Sequence, residues 1–178
     1  MRILVFAMLM GALPPLLAAT ATGRVFIDTN QNGVLDGNEN GLPGVRVSNG
    51  LQVVVTDKNG RYRLNVDDET ILFITKPKNY ATPLNTHKLP QFYHIHQPKG
   101  SPAGLRYRGI DPTGPLPDEI NFPLFPRPED DDFEAILFAD TQPQTNRELD
   151  FIRDDVIPEL IGSSAAFGMT MGDILYDD

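Results

Sequence analysis

The sequence predicts a β plus α/β protein, in which a small antiparallel β-sandwich is followed by the first βαβ unit of an α/β domain. Three observations support this fold class. Apolar residues alternate with a period of two from Gly23 onward in the first module, which is typical of half-buried strands. One helical pattern lies between two apolar runs near the end of the chain. The 16 prolines and 15 glycines favour short strands and tight turns.

The strands of the sandwich follow one another from Gly23 onward, over residues 22–79. Alternation over Tyr62, Leu64 and Val66 is the clearest example, because polar residues occupy every second position. The segments Ser48-Asn49-Gly50 and Asp57-Lys58-Asn59-Gly60 are predicted to be hairpin turns, since Asn and Gly accept a positive φ. The other predicted strands cover residues 25–27, 45–48, 52–56 and 71–75.

The first 21 residues predict a signal peptide. A positive Met1-Arg2 start precedes an apolar run from Ile3 to Leu17, and Ala19-Thr20-Ala21 fits the small-x-small cleavage rule. The alternative is a short N-terminal anchor. Cleavage would leave no transmembrane helix and would place the protein outside the cell or in the periplasm.

Charge and cysteine content limit the partners of the chain. The net charge is −9 and the pI is about 4.7. This balance argues against a nucleic-acid-binding patch or an anionic membrane surface as partner, because both need a basic footprint. The chain contains no cysteine, so stability comes from packing and from any bound ion rather than from disulfides.

A twelve-residue segment from Asp28 to Glu39 matches the spacing of a calcium loop. Oxygen-bearing side chains stand at positions one, three, five, nine and twelve, and Gly33 stands at the sharp turn in position six. Alternating oxygens at this spacing wrap one hard cation. The candidate calcium ligands are Asp28, Asn30, Asn32, the Val34 carbonyl, Asp36 and Glu39. The alternative is an Asx-rich turn that needs no ion.

Residues 80–132 are rich in Pro, Gly and polar residues and are interpreted as a connecting segment or functional loop. Its one strand-like piece is Phe92-Tyr93-His94-Ile95-His96. His94 and His96 share a strand face, but without a third ligand nearby we interpret them as polar residues on an exposed face. The acidic run over residues 129–132 is a natural domain boundary.

The last module, residues 133–178, predicts two parallel strands joined by a helix. Residues 133–139 and 165–171 are apolar strands, and Thr145 to Glu148 forms a capping box at the start of the helix. Pro158 is expected to kink or end that helix. Asp140 and Asp173 follow the two strands, where parallel sheets bind their ligands. Two acids at adjacent strand ends suit a two-metal centre.

Three stretches of the first module, residues 23–28, 41–50 and 56–64, form one pattern together with the calcium-like loop. The second module adds Asp140-x-Gln142 and Gly172-Asp173. On these residues the chain resembles the secreted calcineurin-like metallophosphoesterases. The first module also resembles prealbumin-like and Sdr-type modules of cell-surface proteins.

The resemblance implies a two-metal hydrolase that acts on a phosphate-ester substrate. Asp140 and Gln142 would bind the first of two divalent ions (Mn, Zn, Fe or Mg), and Asp173 would bridge them. Gln142 replaces the usual His, and an amide oxygen is a poorer ligand for Zn. The later motifs of the family would follow Asp178, so we expect an N-terminal fragment that is inactive alone. The alternative is a calcium-stabilised extracellular surface or adhesion module without catalysis.

Overall fold

The computed structural model describes residues 19–176, which belong to two structural units. The first unit consists of strands in which exposed and buried residues alternate. In one strand, Arg61–Val66, the residues alternate between exposed and buried, and Tyr62, Leu64 and Val66 are at most 5% exposed. The first unit runs to Pro128 and the second from Glu129. The strands of the first unit are β1 (Ala19–Ile27), β2 (Arg46–Ser48), β3 (Val53–Val55), β4 (Arg61–Val66), β5 (Thr70–Thr75), β6 (Tyr80–Ala81), β7 (Tyr93–His96) and β8 (Phe122–Pro126).

These strands form two four-stranded sheets that share one apolar core. The strand orders are β4-β1-β8-β6 and β3-β2-β5-β7. Side chains from both sheets are buried together, including Val25 and Leu64 from the first and Val47 and Leu72 from the second. The strand-rich first unit is therefore confirmed. The sheet β4-β1-β8-β6 is mixed, whereas the sequence predicts an antiparallel sandwich, because β1 and β8 run in parallel.

The two predicted hairpin turns have different outcomes. Ser48-Asn49-Gly50 joins β2 and β3, which pair in antiparallel fashion, so this prediction is confirmed. Asp57-Lys58-Asn59-Gly60 joins β3 to β4, which belong to different sheets, so the hairpin prediction is wrong there. Asn and Gly signal only the reversal of the chain, and the next strand is free to pair elsewhere.

The segment 80–132 contributes β6, β7 and β8, of which the sequence analysis anticipates only β7, in the strand-like piece Phe92 to His96. β7 extends one sheet beside β5, and β8 lies between β1 and β6 in the other. β8 contains Pro123 and Pro126, which normally argue against an inner strand. Phe122 and Leu124 nevertheless alternate into the core at 4% and 0% exposure.

Tyr62 fixes this late segment to the sheet. Its hydroxyl donates a buried 2.6 Å hydrogen bond to the carbonyl of Ile120. Gly23 lies at the same place, because a Cβ there would come within 1.9 Å of that carbonyl oxygen. The absent side chain lets β1 and the Ile120 backbone approach closely.

The second unit pairs β9 (Ala135–Phe138) in parallel with β10 (Phe167–Thr170). The chain between them forms α1 (Asn146–Phe151), a π-helical turn (Ile152–Val156) and α2 (Ile157–Leu160). The capping box at Thr145 and Glu148 is confirmed, with both reciprocal hydrogen bonds present. All four residues of β10 are exposed, although the sequence predicts buried strands.

Pro158 explains the break in this helical segment. It has no N–H to donate, and its ring would clash with the carbonyl of the residue four positions earlier in a regular helix. The π-helical turn ends two residues before Pro158 and widens the backbone at that point.

No helix among residues 19–176 is long and apolar enough to span a bilayer. The predicted signal peptide lies mostly outside the described residues. Its last three residues, Ala19 to Ala21, belong to β1.

Candidate metal centres

The calcium-like loop begins where β1 ends. Asp28 is fully buried, and its backbone N–H donates to the carbonyl of Leu124 at 2.9 Å. The loop is closed by Ile27, whose N–H donates to the Asn40 carbonyl at 2.8 Å. β1 and β8 therefore place the first acid of the loop at a fixed position.

The Asp28 carboxylate orients the tight turn of the loop. Its Oδ1 accepts the N–H of Asn32 at 3.2 Å, and its Oδ2 accepts the N–H of Gly33 at 2.8 Å. Gly33 has a φ of 76°, the left-handed conformation that the spacing template requires there. Donors at positions five and six thus hold the carboxylate of position one.

Glu39 closes the other end of the loop. Its Oε1 accepts the Thr29 N–H at 2.8 Å, and its Oε2 accepts the Asp36 N–H at 3.1 Å. The Glu39 side chain is 7% exposed. Thr29 is a contact that the spacing rule did not identify, because a backbone donor leaves no signal in residue type.

The remaining oxygens of the loop form a local polar network. Asp36 Oδ2 accepts the side-chain amides of Asn30 and Asn32 at 2.8 and 3.0 Å. Asn32 Oδ1 accepts the Val34 N–H at 2.7 Å. The six residues predicted as calcium ligands are therefore brought together in one loop, although their oxygens face internal donors.

The donor set of this loop suits a hard cation. Two of its carboxylates, Asp28 and Glu39, are buried, and no ion pair among the described residues involves them. Buried carboxylates without a cationic partner carry an electrostatic cost that an ion offsets. Within residues 19–176, however, no three His, Cys, Asp or Glu side chains converge as a metal-binding group.

The second candidate centre lies after β9 and β10. The two strands pair in parallel as far as their last residues, Phe138 and Thr170, which lie opposite each other. The N–H of Met171 continues the pairing by donating to the Phe138 carbonyl at 2.8 Å. The two loops that carry the predicted ligands therefore leave the sheet side by side.

A direct backbone hydrogen bond joins these loops. The N–H of Gln142 donates to the carbonyl of Asp173 at 2.9 Å. The hydroxyl of Thr141 also donates to the Ile174 carbonyl at 3.3 Å. The structure thus brings the backbones at two predicted metal ligands, Gln142 and Asp173, into contact.

All three predicted ligands have an unusual backbone conformation. Asp140, Gln142 and Asp173 have φ values of 54°, 24° and 48°. Such values are uncommon for residues other than glycine, and they cluster at functional sites. Asp140 and Asp173 are exposed, and Gln142 is half-buried.

The donor chemistry of this second site is incomplete for two ions. Two carboxylates and one amide oxygen provide at most three protein ligands, whereas paired ions need more between them. Asp140, Gln142 and Asp173 could therefore supply part of the ligands of a two-metal centre, but not all of them.

The histidine pair is placed differently from the sequence interpretation. His96 is 4% exposed, and its Nδ1 is buried without a hydrogen-bond partner. The expectation of an exposed face is therefore wrong for His96. Burial, and then the charge of His96, lower the pKa of His94 below its ordinary value. Both residues face inward because they alternate with exposed Tyr93 on β7.

Comparison with known proteins identifies part of the first unit. No curated protein matches the chain. Residues 29–108 match the family model described as the N terminal of Calcineurin-like phosphoesterase. The matched stretch contains most of the calcium-like loop and β2 to β7, and it supports the family that the sequence resembles.

Proposed function

We propose that the chain is the N-terminal part of an exported, metal-dependent phosphoesterase. The match of residues 29–108 supports the family and the N-terminal position. The parallel β9–β10 pair joined by a helical segment suits the first βαβ unit of an α/β phosphoesterase domain. Export, to the cell exterior or the periplasm, rests on the signal-peptide pattern of the first residues.

One observation carries the assignment of the site. The Gln142 N–H and the Asp173 carbonyl are hydrogen-bonded across two loops that follow parallel strands. This contact holds two sequence-distant ligand candidates at the same edge of a sheet, where α/β proteins bind ligands. Asp140, two residues before Gln142, stands at the end of the same strand.

The chain's own residues would hold only part of the metal centre. Asp140 and Gln142 would bind one divalent ion, and Asp173 would bridge it to a second. Mn, Zn, Fe and Mg are candidates, and the amide of Gln142 favours the harder ions. When bound, such ions supply an acidified water and neutralise a phosphate ester. The other ligands would come from residues outside this chain.

The site proposal is tested by hydrolysis of a chromogenic phosphodiester and a phosphomonoester with each metal. We expect no turnover by the 178-residue chain, and metal-dependent turnover by a protein that also carries the later family motifs. In that longer protein Asp173→Asn and Asp140→Asn should each lower kcat/KM by at least about 100-fold. Asp155→Asn, an exposed acid of the same unit, is the matched control.

Two results would contradict the proposal. Full activity in the longer protein after both Asp140→Asn and Asp173→Asn would remove these residues from the metal centre. Metal-dependent turnover by the 178-residue chain, lost in Asp173→Asn, would support the family but show that the described ligands suffice.

The first unit also supports a calcium site, which belongs to the alternative function of a calcium-stabilised extracellular surface or adhesion module. The specific observation is the pair of buried carboxylates, Asp28 and Glu39, without a cationic partner among residues 19–176. The two functions are compatible, because calcium would stabilise the first unit and leave the chemistry to the second. An inactive longer protein with intact calcium binding would favour the module alone.

A further inference from the structure

Asparagine followed by glycine is the dipeptide most prone to spontaneous deamidation, and the chain contains it four times. Glycine has no side chain to shield its backbone nitrogen, which can therefore attack the amide carbon of the preceding asparagine. Because all four asparagines have the same following residue, any large difference in their reactivity comes from the fold. The four pairs are Asn32-Gly33, Asn40-Gly41, Asn49-Gly50 and Asn59-Gly60.

The pair Asn32-Gly33, in the calcium-like loop, is held at both reacting groups. The Gly33 N–H donates to Asp28 Oδ2 at 2.8 Å, so the attacking nitrogen is engaged. Asn32 Oδ1 accepts the Val34 N–H at 2.7 Å, and its amide donates to Asp36 Oδ2 at 3.0 Å. Attack of the Gly33 nitrogen on the Asn32 side chain would require these three hydrogen bonds to break.

The pair Asn49-Gly50, in the turn between β2 and β3, is held in the same way. The Gly50 N–H donates to Ser48 Oγ at 3.0 Å. Asn49 Oδ1 accepts the Gln52 N–H at 2.7 Å, and its amide donates to the Asn65 carbonyl at 2.8 Å. Both the nitrogen that would attack and the amide that it would attack are therefore fixed in the folded chain.

Only one reacting group is held in Asn59-Gly60, which belongs to the turn before β4. Asn59 is exposed, and among residues 19–176 no hydrogen bond involves its side chain. The Gly60 N–H donates to the Asp57 carbonyl at 2.9 Å. The nitrogen must therefore leave this hydrogen bond before it can attack.

Neither reacting group is held in Asn40-Gly41, which follows the calcium-like loop. Asn40 is exposed, and in the part of the chain that the structure describes no hydrogen bond involves its side chain or the Gly41 N–H. The Asn40 carbonyl accepts the Ile27 N–H at 2.8 Å. On the other side of Gly41, the Leu42 N–H donates to the Val25 carbonyl at 2.8 Å. These two hydrogen bonds to β1 leave the Gly41 nitrogen between them available for reaction.

We propose that Asn40 is the residue at which the folded chain deamidates. Base removes the proton of the Gly41 nitrogen, and this nitrogen attacks Asn40 Cγ. The N–Cγ bond forms, the Cγ–Nδ2 bond breaks, and the amide nitrogen takes up a proton and leaves as ammonia. Water then opens the resulting five-membered succinimide ring at one of its two carbonyls, which gives aspartate or isoaspartate at position 40. The reaction consumes only water.

The two products affect the fold differently. Aspartate keeps the normal backbone and adds a negative charge beside Glu39, the buried acid that closes the calcium-like loop. Isoaspartate carries the chain through the side chain, so it lengthens the backbone by one carbon atom before Gly41. Gly41 is tightly packed, since a Cβ there would lie 1.8 Å from the Asn59 carbonyl oxygen. We therefore expect isoaspartate to weaken the attachment of this segment to β1.

The first experiment follows deamidation of the purified, folded chain at mildly alkaline pH over several weeks. Proteolysis and mass spectrometry measure the fraction of each asparagine whose amide has become a carboxyl group. We expect Asn40 to react about 5-fold faster than Asn59, which has one more hydrogen bond to break. Asn40 should also react at least about 10-fold faster than Asn32 or Asn49. The chain unfolded in guanidinium chloride is the control, since its four pairs should react at similar rates.

Variants and the modified protein complete the test. Asn40→Gln should slow the loss of amide from the folded chain by at least about 3-fold, because glutamine would have to close a larger ring. Asn59→Gln is the matched control and should leave that rate nearly unchanged. The isoaspartate form, separated by ion exchange, should melt at least about 3 °C below the parent, because hydrogen bonds to β1 are weakened.

Three results would overturn the proposal. The first is a folded chain in which Asn40 keeps its amide while the unfolded chain loses it. The second is a reaction at Asn59 that is as fast as the reaction at Asn40, since hydrogen bonding of the glycine nitrogen would then not select the site. The third is an isoaspartate form that melts at the same temperature as the parent, which would overturn the expected effect on the fold.

Discussion

At the scale of single residues, the calcium-like loop shows how far residue type and spacing predict hydrogen-bonding groups. The spacing identifies Asp28 and Glu39 as the two ends of the loop, and the structure buries both carboxylates. The spacing does not identify the groups that donate hydrogen bonds to these carboxylates, because the donors are the backbone N–H groups of Thr29, Asn32 and Gly33. Residue type therefore predicts acceptors better than it predicts their partners.

Calcium should raise the melting temperature of the chain, and Glu39→Gln should remove most of that effect. An ion that binds only the folded state at about 100 times its Kd adds about 2.7 kcal/mol of stability. For a unit of this size the shift is about 10 °C. Differential scanning fluorimetry with calcium and with a chelator measures it.

Asp57→Asn provides the matched control for this prediction. The Asp57 carboxylate also accepts backbone N–H groups, from Asn59 and Arg61, but it lies outside the loop. Those hydrogen bonds, first from Arg61 and then from Asn59, lower the pKa of Asp57. The calcium-dependent shift should persist in this variant. A parent chain with no calcium-dependent shift would support the Asx-rich turn instead.

At the scale of elements, alternation predicts strands well where one face meets the core. β4 follows the pattern at every position, and the capping box fixes the start of α1. β8 escapes prediction because Pro123 and Pro126 are signals against a strand. Its place depends on a parallel pairing with β1, nearly one hundred residues earlier in sequence, and no local pattern records a long-range pairing of that kind.

The same limit applies to turn chemistry and to β10. Asp57 and Gly60 specify a reversal, but not which sheet receives β4. The apolar composition of residues 167–170 predicts burial, yet all four are exposed in the second unit. For the predicted metal ligands, the sequence indicates that Asp140 and Asp173 follow strands, and their positive φ values are visible only in the structure.

His94 on β7 should make the free energy of unfolding of the first unit depend on pH. Burial lowers the pKa of His94 below its ordinary value of 6.5, so the unfolded chain takes up this proton at a higher pH than the folded chain does. Stability should therefore fall as the pH falls through about 6.5, and rise as the pH rises through that window. Urea unfolding at pH 5 and pH 7.5 measures the difference.

His94→Gln isolates the contribution of this side chain, because other groups also titrate between these two pH values. The variant should lose less stability than the parent between pH 7.5 and pH 5. His87→Gln, at an exposed position outside the strands, is the control and should behave like the parent. An identical loss of stability in the parent and in His94→Gln would contradict the expectation.

At the scale of the whole molecule, the proposed export has to be compatible with the packing of the first unit. Ala21 is fully buried in the core and pairs with Leu64. Ala19 and Thr20 pair with Val66 and Asn65. Cleavage after Ala21, as the small-x-small rule predicts, would remove these three residues from β1 and leave the end of β4 without its partner.

We therefore expect the stable exported protein to retain Ala21. A chain that begins at Thr22 should be less stable than one that begins at Ala19 by about 2 to 4 kcal/mol, since it loses strand hydrogen bonds and the contacts of a buried side chain. A chain that begins at Thr20 loses only the exposed Ala19 and should lie within about 0.5 kcal/mol of the longer form. Urea unfolding of the three forms measures these differences, and N-terminal sequencing of exported protein gives the natural start. An exported protein that begins at Thr22 and is as stable as the form that begins at Ala19 would show that the first three residues of β1 contribute nothing to the fold.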